Sequence, residues 1–183
     1  MEPLGLEEYR QLRATIRERG SLRVVLFVVT IVAWAVVAGL IAAFISLPLA
    51  SLLSLILLVA GFEAVHQLHI GVERIGRYLY ARYETGSERL GGDAGGRLLW
   101  EGAIAAFGAG HRSSTRPVDA LFTLPFIFAI VINFLVATLG STPEEMVAIG
   151  AVHLLVIARI FFAKRAAARQ RAEDQKRFEE VLK

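Results

Sequence analysis

The sequence predicts an all-α membrane protein in which four transmembrane helices form two helical hairpins. No charged residue occurs between Arg23 and Glu63, and none occurs between Asp119 and Glu144. A charge-free helix of about 18 residues or more matches the hydrocarbon thickness of a bilayer. The 20 Lys and Arg residues also avoid the two short turns that separate the apolar stretches. Such a distribution is typical of a polytopic membrane protein.

Composition places the whole chain, residues 1–183, in one membrane domain. Of its residues 55% are hydrophobic, compared with about 45–50% in a soluble domain. The absence of cysteine excludes disulfides, thiolate metal ligands and thiol nucleophiles. The net charge of +3 comes from basic residues of the kind that collect on cytoplasmic surfaces, so we expect no nucleic-acid partner. Arg outnumbers Lys, and Ala and Gly are abundant, as in proteins from GC-rich bacterial genomes.

The first half of the chain is predicted to contain a short cytoplasmic helix followed by two membrane spans. Residues 2–22 have apolar residues at helical spacing, and Gly20 and Ser21 are expected to interrupt this helix before the membrane. The charge-free run that follows has 39 residues, which as one helix would extend about 58 Å, nearly twice the hydrocarbon core. It must fold back, and Ser46-Leu47-Pro48 is the predicted corner because proline ends or begins a helix. We place the two spans at 24–45 and 49–66.

The second half is predicted to contain the other two spans, at 120–138 and 146–163. Residues 140–143 form the turn between them, and Thr142 is positioned to cap the fourth helix. Two glutamates follow in the first turn, where acidic side chains complement the positive end of the helix dipole. The tail, residues 164–183, contains no Gly or Pro, so we expect it to continue the fourth helix into the cytoplasm.

The orientation of the spans follows from the basic residues. The N-terminal segment holds five of them, the central segment seven and the C-terminal tail seven, whereas both turns hold none. Because positively charged segments stay in the cytoplasm, this pattern predicts an N-in, C-in multi-pass protein of the bacterial cytoplasmic (inner) membrane. The first apolar stretch is longer than the hydrophobic region of a signal peptide, so we expect an uncleaved first span.

The central segment, residues 67–118, is predicted to have three cytoplasmic parts. Its start continues the second helix through Tyr83, and residues 85–97, with five glycines, form a flexible connector. Residues 98–107 are apolar but too short to span the bilayer. They predict a helix that lies in the membrane interface, with Trp100 at the level of the headgroups, and a re-entrant segment is the alternative.

One face of the helix that follows the second span carries alternating carboxylates and imidazoles. At about 100° per residue, six polar side chains fall within a stripe of about 120°, and apolar side chains occupy the opposite face. The stripe consists of Glu63, His66, His69, Glu73, Arg77 and Tyr80. Its first four members are candidate metal ligands, because Glu-x-x-His is the helical spacing found in two-metal carboxylate bundles. The alternatives are a proton relay and an amphipathic helix whose charges pair, such as Glu73 with Arg77.

Polar residues inside the spans are costly and often functional. Glu63 and Arg159 lie near the cytoplasmic ends of their helices, where an ion pair or snorkelling of the arginine accounts for both. Asn133 and His153 lie deeper, on the two helices of one hairpin. We expect these two to hydrogen-bond to each other, with ion or proton passage as the alternative. The histidines differ in depth, so we expect no haem, and a metal is the one cofactor that the residues leave open.

The basic residues after the fourth span are expected to attract anionic lipid headgroups, together with Trp100. They are Lys164, Arg165, Arg169 and Arg171.

Three functions remain open from the sequence. The first is a non-catalytic interaction or accessory subunit of a larger membrane assembly, whose partners are the lipid bilayer and other membrane-protein subunits or copies of itself. The second is a homo-oligomeric ion channel or small transporter, and the third is a metal-dependent membrane enzyme. We rank the first highest. The sequence contains no His-Glu-x-x-His motif and no assignable Ser-His-acid arrangement, which disfavours an enzyme, and one four-helix bundle is too thin to enclose a pore without further copies.

Overall fold

The computed structural model describes residues 3–44, 48–84, 117–139 and 141–181, and within these ranges it is almost entirely helical, with no strand. The helices are α1, Pro3–Phe44; α2, Ser51–Leu79; α3, Pro117–Thr138; and α4, Pro143–Val181. α2 follows a 3₁₀ turn at Pro48–Ala50 and leads into a π-helical turn at Tyr80–Glu84. The predicted all-α class is confirmed. The predicted connector at 85–97 and interfacial helix at 98–107 lie outside the described residues.

Three of the helices are long and apolar enough to cross a bilayer. The segments with this property are Gly5–Phe44, Pro48–Arg82 and Pro143–Asp174. α3 has a shorter apolar segment, Phe122–Thr138. Large apolar side chains on these helices point outwards, for example Val29 and Val32, which are 56% and 57% exposed. The protein is therefore a helical membrane protein whose outer surface contacts lipid.

α1 continues without a break through Gly20 and Ser21, so the predicted interruption is wrong. A single glycine costs a helix only about 1 kcal/mol relative to alanine, and the residues on both sides favour a helix. A Cβ at Gly20 would meet no atom within 4 Å, so packing does not require glycine there. α1 ends at Phe44 and helical structure resumes at Pro48, so the predicted corner falls between them, and residues 45–47 lie outside the described residues.

α4 begins with the predicted cap and then continues to Val181. Glu145 N donates to Thr142 Oγ1 at 3.4 Å, and Thr142 N donates to the Glu145 carboxylate at 2.9 Å. This reciprocal pair is a capping box, which satisfies backbone groups that a first helical turn leaves open. Pro143 occupies the first helical position, where the missing N–H of proline has no cost. The predicted helical tail is confirmed as far as it is described.

The chain divides into two compact units. The polar unit comprises Met1–Ser21, Leu68–Arg116 and Ala166–Lys183, and the apolar unit comprises Leu22–Gln67 and Pro117–Arg165. α1, α2 and α4 each contribute to both units, whereas α3 belongs to the apolar unit.

The core of the apolar unit contains large side chains from all four helices. Phe126 on α3 is fully buried, and its ring makes edge contacts with Phe27 and Phe62 at centroid distances of 5.7 and 5.6 Å. α1 and α2 approach so closely that a Cβ at Gly61 would lie 2.7 Å from the Cβ of Thr30. Because lipid is as apolar as this core, close packing rather than the hydrophobic effect holds such helices together.

In the polar unit, aromatic and charged contacts join segments of three helices. The ring of Tyr78 on α2 packs against Phe178 on α4 at a centroid distance of 5.7 Å. The Tyr78 hydroxyl donates to Glu8 on α1 at 2.8 Å, and Arg82 Nε lies 3.9 Å from the other oxygen of that carboxylate. Phe178 thus packs within the protein in this unit.

Candidate functional site

A cluster of polar side chains lies buried in the apolar unit, and every helix of the unit contributes to it. We call it the Asn133 cluster, and its members are Trp34, Ser51, Ser54, Asn133 and His153. Each is at most 8% exposed, and Asn133 itself is 2% exposed. Polar groups buried away from water are costly unless they are hydrogen-bonded, so the partners of each atom determine what the cluster can do.

The side-chain amide of Asn133 is the centre of the cluster. Its Oδ1 accepts from Trp34 Nε1 at 3.2 Å and from the Ser54 hydroxyl at 2.5 Å. Its Nδ2 donates to the Ser51 carbonyl at 3.2 Å and to His153 Nε2 at 3.1 Å. An amide has two acceptor and two donor positions, so all four are used. Ser54 Oγ also lies 2.8 Å from the Ser51 carbonyl, so its one proton is shared between two acceptors.

The contacts of His153 assign its protonation. Nδ1 lies 2.8 Å from the carbonyl of Ile149, which can only accept, so Nδ1 carries a proton. Nε2 then accepts from Asn133, as a neutral imidazole does. The predicted hydrogen bond between Asn133 and His153 is confirmed. The Phe134 ring packs against the imidazole in a T-shaped contact at a centroid distance of 5.5 Å.

Trp34, Ser51 and Ser54 are partners of Asn133 that the sequence did not predict. Trp34 stands ten residues before the end of α1, and His153 stands ten residues after the start of α4, so the two have similar depths on their helices. A buried tryptophan needs an acceptor for its indole N–H. Trp34 could therefore be recognised from two features of the sequence: its depth is similar to that of His153, and its indole N–H requires an acceptor.

A second polar feature of the apolar unit is the predicted ion pair between α2 and α4. Arg159 Nη2 lies 2.8 Å from Glu63 Oε1, which confirms the predicted contact. His66, one turn after Glu63, stacks on the ring of Phe62 with an interplanar angle of 11°. The imidazole is thus packed against an aromatic ring of its own helix.

The predicted metal quartet divides between the two units, because Glu63 and His66 belong to the apolar unit and His69 and Glu73 to the polar unit. Glu63 contacts Arg159, and Glu73 contacts Arg171. Among the residues that the structure describes, no three His, Cys, Asp or Glu side chains lie close enough to hold a metal ion. The described geometry does not support the predicted metal site.

The polar unit instead contains a row of alternating charges between α2 and α4. The Glu73 carboxylate lies 2.6 Å from Arg171 Nε, 3.6 Å from Arg77 Nη1 and 3.6 Å from His69 Nε2. The contact between Glu73 and Arg77 is the predicted pairing along the stripe. Arg77 also reaches Asp174 at 3.0 Å, so this row links the two helices.

Asp174 lies beyond the charge-free part of α4 and accepts hydrogen bonds from two arginines. Arg77 Nη2 and Arg74 Nε lie 3.0 and 3.2 Å from its Oδ2. Burial raises the pKa of this carboxyl, but the hydrogen bonds and charges of the two guanidinium groups lower it by more, so its pKa lies below the ordinary value.

The predicted headgroup cluster is also divided by its contacts. Arg165 and Arg169 are exposed, as a role at the lipid headgroups requires. Arg171 differs, because its Nε donates to Glu73 within the polar unit. Trp100 lies outside the described residues.

The chain matches no family model, no curated protein and no solved structure. The hydrogen bonds of the Asn133 cluster join neutral groups. In the Asn133 cluster each donor faces an acceptor, and the imidazole acts as an acceptor towards the amide. Such a cluster fixes how helices pack and which faces meet.

Proposed function

We propose that the protein is a non-catalytic integral membrane subunit that interacts with other membrane-protein subunits or with further copies of itself. The observation that carries this proposal is the closed Asn133 cluster. All four hydrogen-bonding positions of its central amide are used on partners from the other three helices. Side chains that line an aqueous path must instead offer donors or acceptors to the permeating species. The cluster therefore favours a packing role over passage.

We infer that all four helices span a bacterial cytoplasmic membrane, as two hairpins with both termini in the cytoplasm. α3 rises about 33 Å over its 22 residues, which is enough to cross the hydrocarbon core. Asn133 on α3 bonds to α1, α2 and α4, which supports a position of α3 beside the three long apolar helices. The basic residues of the three polar segments support the orientation.

A reconstitution experiment tests the packing role against the channel or transporter alternative. Liposomes that contain the purified protein are expected to show the same proton, Na⁺ and K⁺ permeability as empty liposomes. Flux that disappears in His153→Ala but persists in Thr138→Val would contradict the proposal. Thr138 is a suitable control because its hydroxyl donates to the Leu135 carbonyl of its own helix at 2.8 Å.

Cross-linking in the native membrane tests the interaction itself. A photo-reactive residue at Val32, which is 57% exposed, is expected to give an adduct of one defined mass with a second polypeptide. The same residue at Leu58, which is 0% exposed, is the matched control and is expected to give no intermolecular adduct. Extraction in a mild detergent is expected to yield a complex heavier than one 20.0 kDa chain. A single chain without intermolecular adducts at any exposed span position would contradict the proposal.

A metal-dependent enzyme is the remaining alternative, and elemental analysis of the purified protein decides it. Stoichiometric metal that is lost together with Glu63→Gln or Glu73→Gln would support an enzyme. We expect no stoichiometric metal, because both carboxylates already contact arginines.

A further inference from the structure

The ion pair between Glu63 and Arg159 remains open to its surroundings, although it lies in the apolar unit. The Arg159 side chain is 52% exposed and the Glu63 side chain is 29% exposed. A guanidinium has five N–H groups and a carboxylate accepts about four hydrogen bonds, so their mutual contact uses a small part of their capacity. Exposed charges in a membrane are costly unless the surroundings supply polar partners.

The position of the pair along its helices brings it within reach of lipid headgroups. The predicted fourth span ends at residue 163, four residues after Arg159. Arg159 therefore lies about 6 Å along the helix from the end of the span. An arginine side chain covers this distance by snorkelling. The pair therefore reaches the headgroups of the leaflet on that side.

The protein surface that lies deeper in the bilayer than the ion pair is apolar. Leu155, one turn before Arg159 on α4, is 69% exposed. Ile56, two turns before Glu63 on α2, is 64% exposed. In the proposed topology α2 and α4 run in the same direction, so both residues lie deeper in the hydrocarbon than the ion pair. They offer an apolar surface to an acyl chain whose headgroup lies at the pair.

We propose that Glu63 and Arg159 together bind the phosphoethanolamine headgroup of a phospholipid. The phosphate oxygens accept hydrogen bonds from the Arg159 guanidinium, and the ammonium group donates to the Glu63 carboxylate. Each charge of the zwitterion thus meets its opposite on the protein, and the contacts are charge-assisted at both ends. The proposal goes beyond the subunit role and rests on the membrane topology proposed above.

The chemistry of the headgroup determines the selectivity of this site. An ethanolamine ammonium has three N–H donors, whereas a choline has none. A phosphoglycerol headgroup has no cation to pair with Glu63. Either replacement leaves the carboxylate beside lipid without the donor that ethanolamine supplies, so the site prefers phosphoethanolamine to both.

A methylation series tests the proposal on the unchanged, full-length protein. The protein is placed in mixed micelles with equal amounts of lipids whose headgroups are ethanolamine, N-methylethanolamine, N,N-dimethylethanolamine, choline and glycerol, all with identical acyl chains. Native mass spectrometry then measures which lipids stay bound. Retention is expected to fall with each N–H that is methylated, by roughly tenfold between ethanolamine and choline. Equal retention across the series, or a preference for phosphoglycerol, would overturn the proposal.

Single substitutions separate the two halves of the site. Glu63→Gln is expected to abolish the preference for ethanolamine over choline, and Arg159→Gln to lower the retention of both lipids roughly tenfold. Glu8→Gln and Arg82→Gln are matched controls, because they change the exposed pair of the polar unit, whose atoms lie 3.9 Å apart. The controls are expected to keep the preference. If the control variants also abolish the preference for ethanolamine over choline, the overall charge of the protein determines lipid retention and the proposal fails.

Discussion

Asn133 shows how one amide can join all four described helices of a membrane protein. Its side chain bonds to Trp34 on α1, to Ser51 and Ser54 on α2 and to His153 on α4. Asn133→Leu keeps a similar volume but removes every one of these bonds and leaves the partners without them. Hydrogen bonds between membrane helices contribute about 0.6 kcal/mol each, so we expect the free energy of unfolding to fall by about 2 kcal/mol.

Titration with SDS in mixed micelles, followed by circular dichroism, measures this loss. Thr138→Val is the control on the same helix, since the Thr138 hydroxyl bonds to a carbonyl of its own helix. We expect the control to change the free energy of unfolding by less than about 0.5 kcal/mol. Equal losses in the two variants would mean that the cluster does not stabilise the fold through its hydrogen bonds between helices.

Gly61 is required by the close approach of α2 to α1. A Cβ at Gly61 would overlap the Thr30 side chain, so Gly61→Ala must push the two helices apart, at an expected cost of about 1–3 kcal/mol in unfolding free energy. Gly39→Ala is the control, because a Cβ at Gly39 meets no atom within 4 Å and alanine favours a helix. The same SDS titration compares them. Partial recovery in the Gly61→Ala, Thr30→Ala double variant is expected, and its absence would place the strain elsewhere.

Strongly polar residues within an apolar run can be recognised in the sequence as candidates for contacts between helices. Small residues that are common in such runs cannot be recognised in this way. The depths of the polar residues predict the bond between Asn133 and His153, and they allow the ion pair between Glu63 and Arg159 as one of two alternatives. Ser54 escaped notice because a hydroxyl is unremarkable in a membrane helix, where it can bond to its own backbone. The requirement at Gly61 depends on a neighbour that is 31 positions away along the chain, so no local pattern reveals it.

Asp174 is one of the residues that join the polar-unit part of α4 to α2. The pKa of this carboxyl is lowered in the folded protein, so its contribution to stability is present above the ordinary pKa of aspartate, about 4, and is lost as the pH falls through the lower, folded value. We expect Asp174→Asn to lower stability by about 1 kcal/mol at pH 7. The difference from the unchanged protein is expected to shrink below about pH 4, where the carboxyl takes up a proton.

Hydrogen exchange of the backbone in residues 166–181 measures this effect locally. Glu173→Gln is the neighbouring control, because Glu173 is exposed and its substitution removes the same charge. We expect the control to leave exchange rates unchanged. If the exchange rates of Asp174→Asn and the unchanged protein differ as much below about pH 4 as at pH 7, the carboxylate charge does not stabilise this part of the helix.

Helix ends were predictable where the chain carries capping chemistry, and less so elsewhere. Thr142, Pro143 and Glu145 determine the start of α4 through side-chain and backbone chemistry that the sequence displays directly. Gly20 carries no such information, because a glycine permits a helix end without requiring one. α1 therefore continues where composition alone suggests a break.

The distribution of charge over the whole chain predicts more about the membrane topology than any single motif does. All basic residues except Arg159 fall in three polar segments, and this arrangement predicts both the number of spans and their direction. The structure supplies what charge cannot, namely which polar atoms meet inside the apolar unit. Those atoms bond to one another, which supports the proposed packing role over passage.

Cysteine labelling tests the predicted orientation directly, since the natural chain contains no cysteine. Glu144→Cys lies at the exposed start of α4, and Glu7→Cys, Ser87→Cys and Glu180→Cys lie in the three basic segments. Because basic segments remain in the cytoplasm, a membrane-impermeant maleimide added to intact spheroplasts is expected to label Glu144→Cys alone. The other three variants are expected to react only after the membrane is permeabilised. Labelling of Ser87→Cys in intact spheroplasts, with Glu7→Cys protected, would place an odd number of spans between them and would contradict the two-hairpin topology.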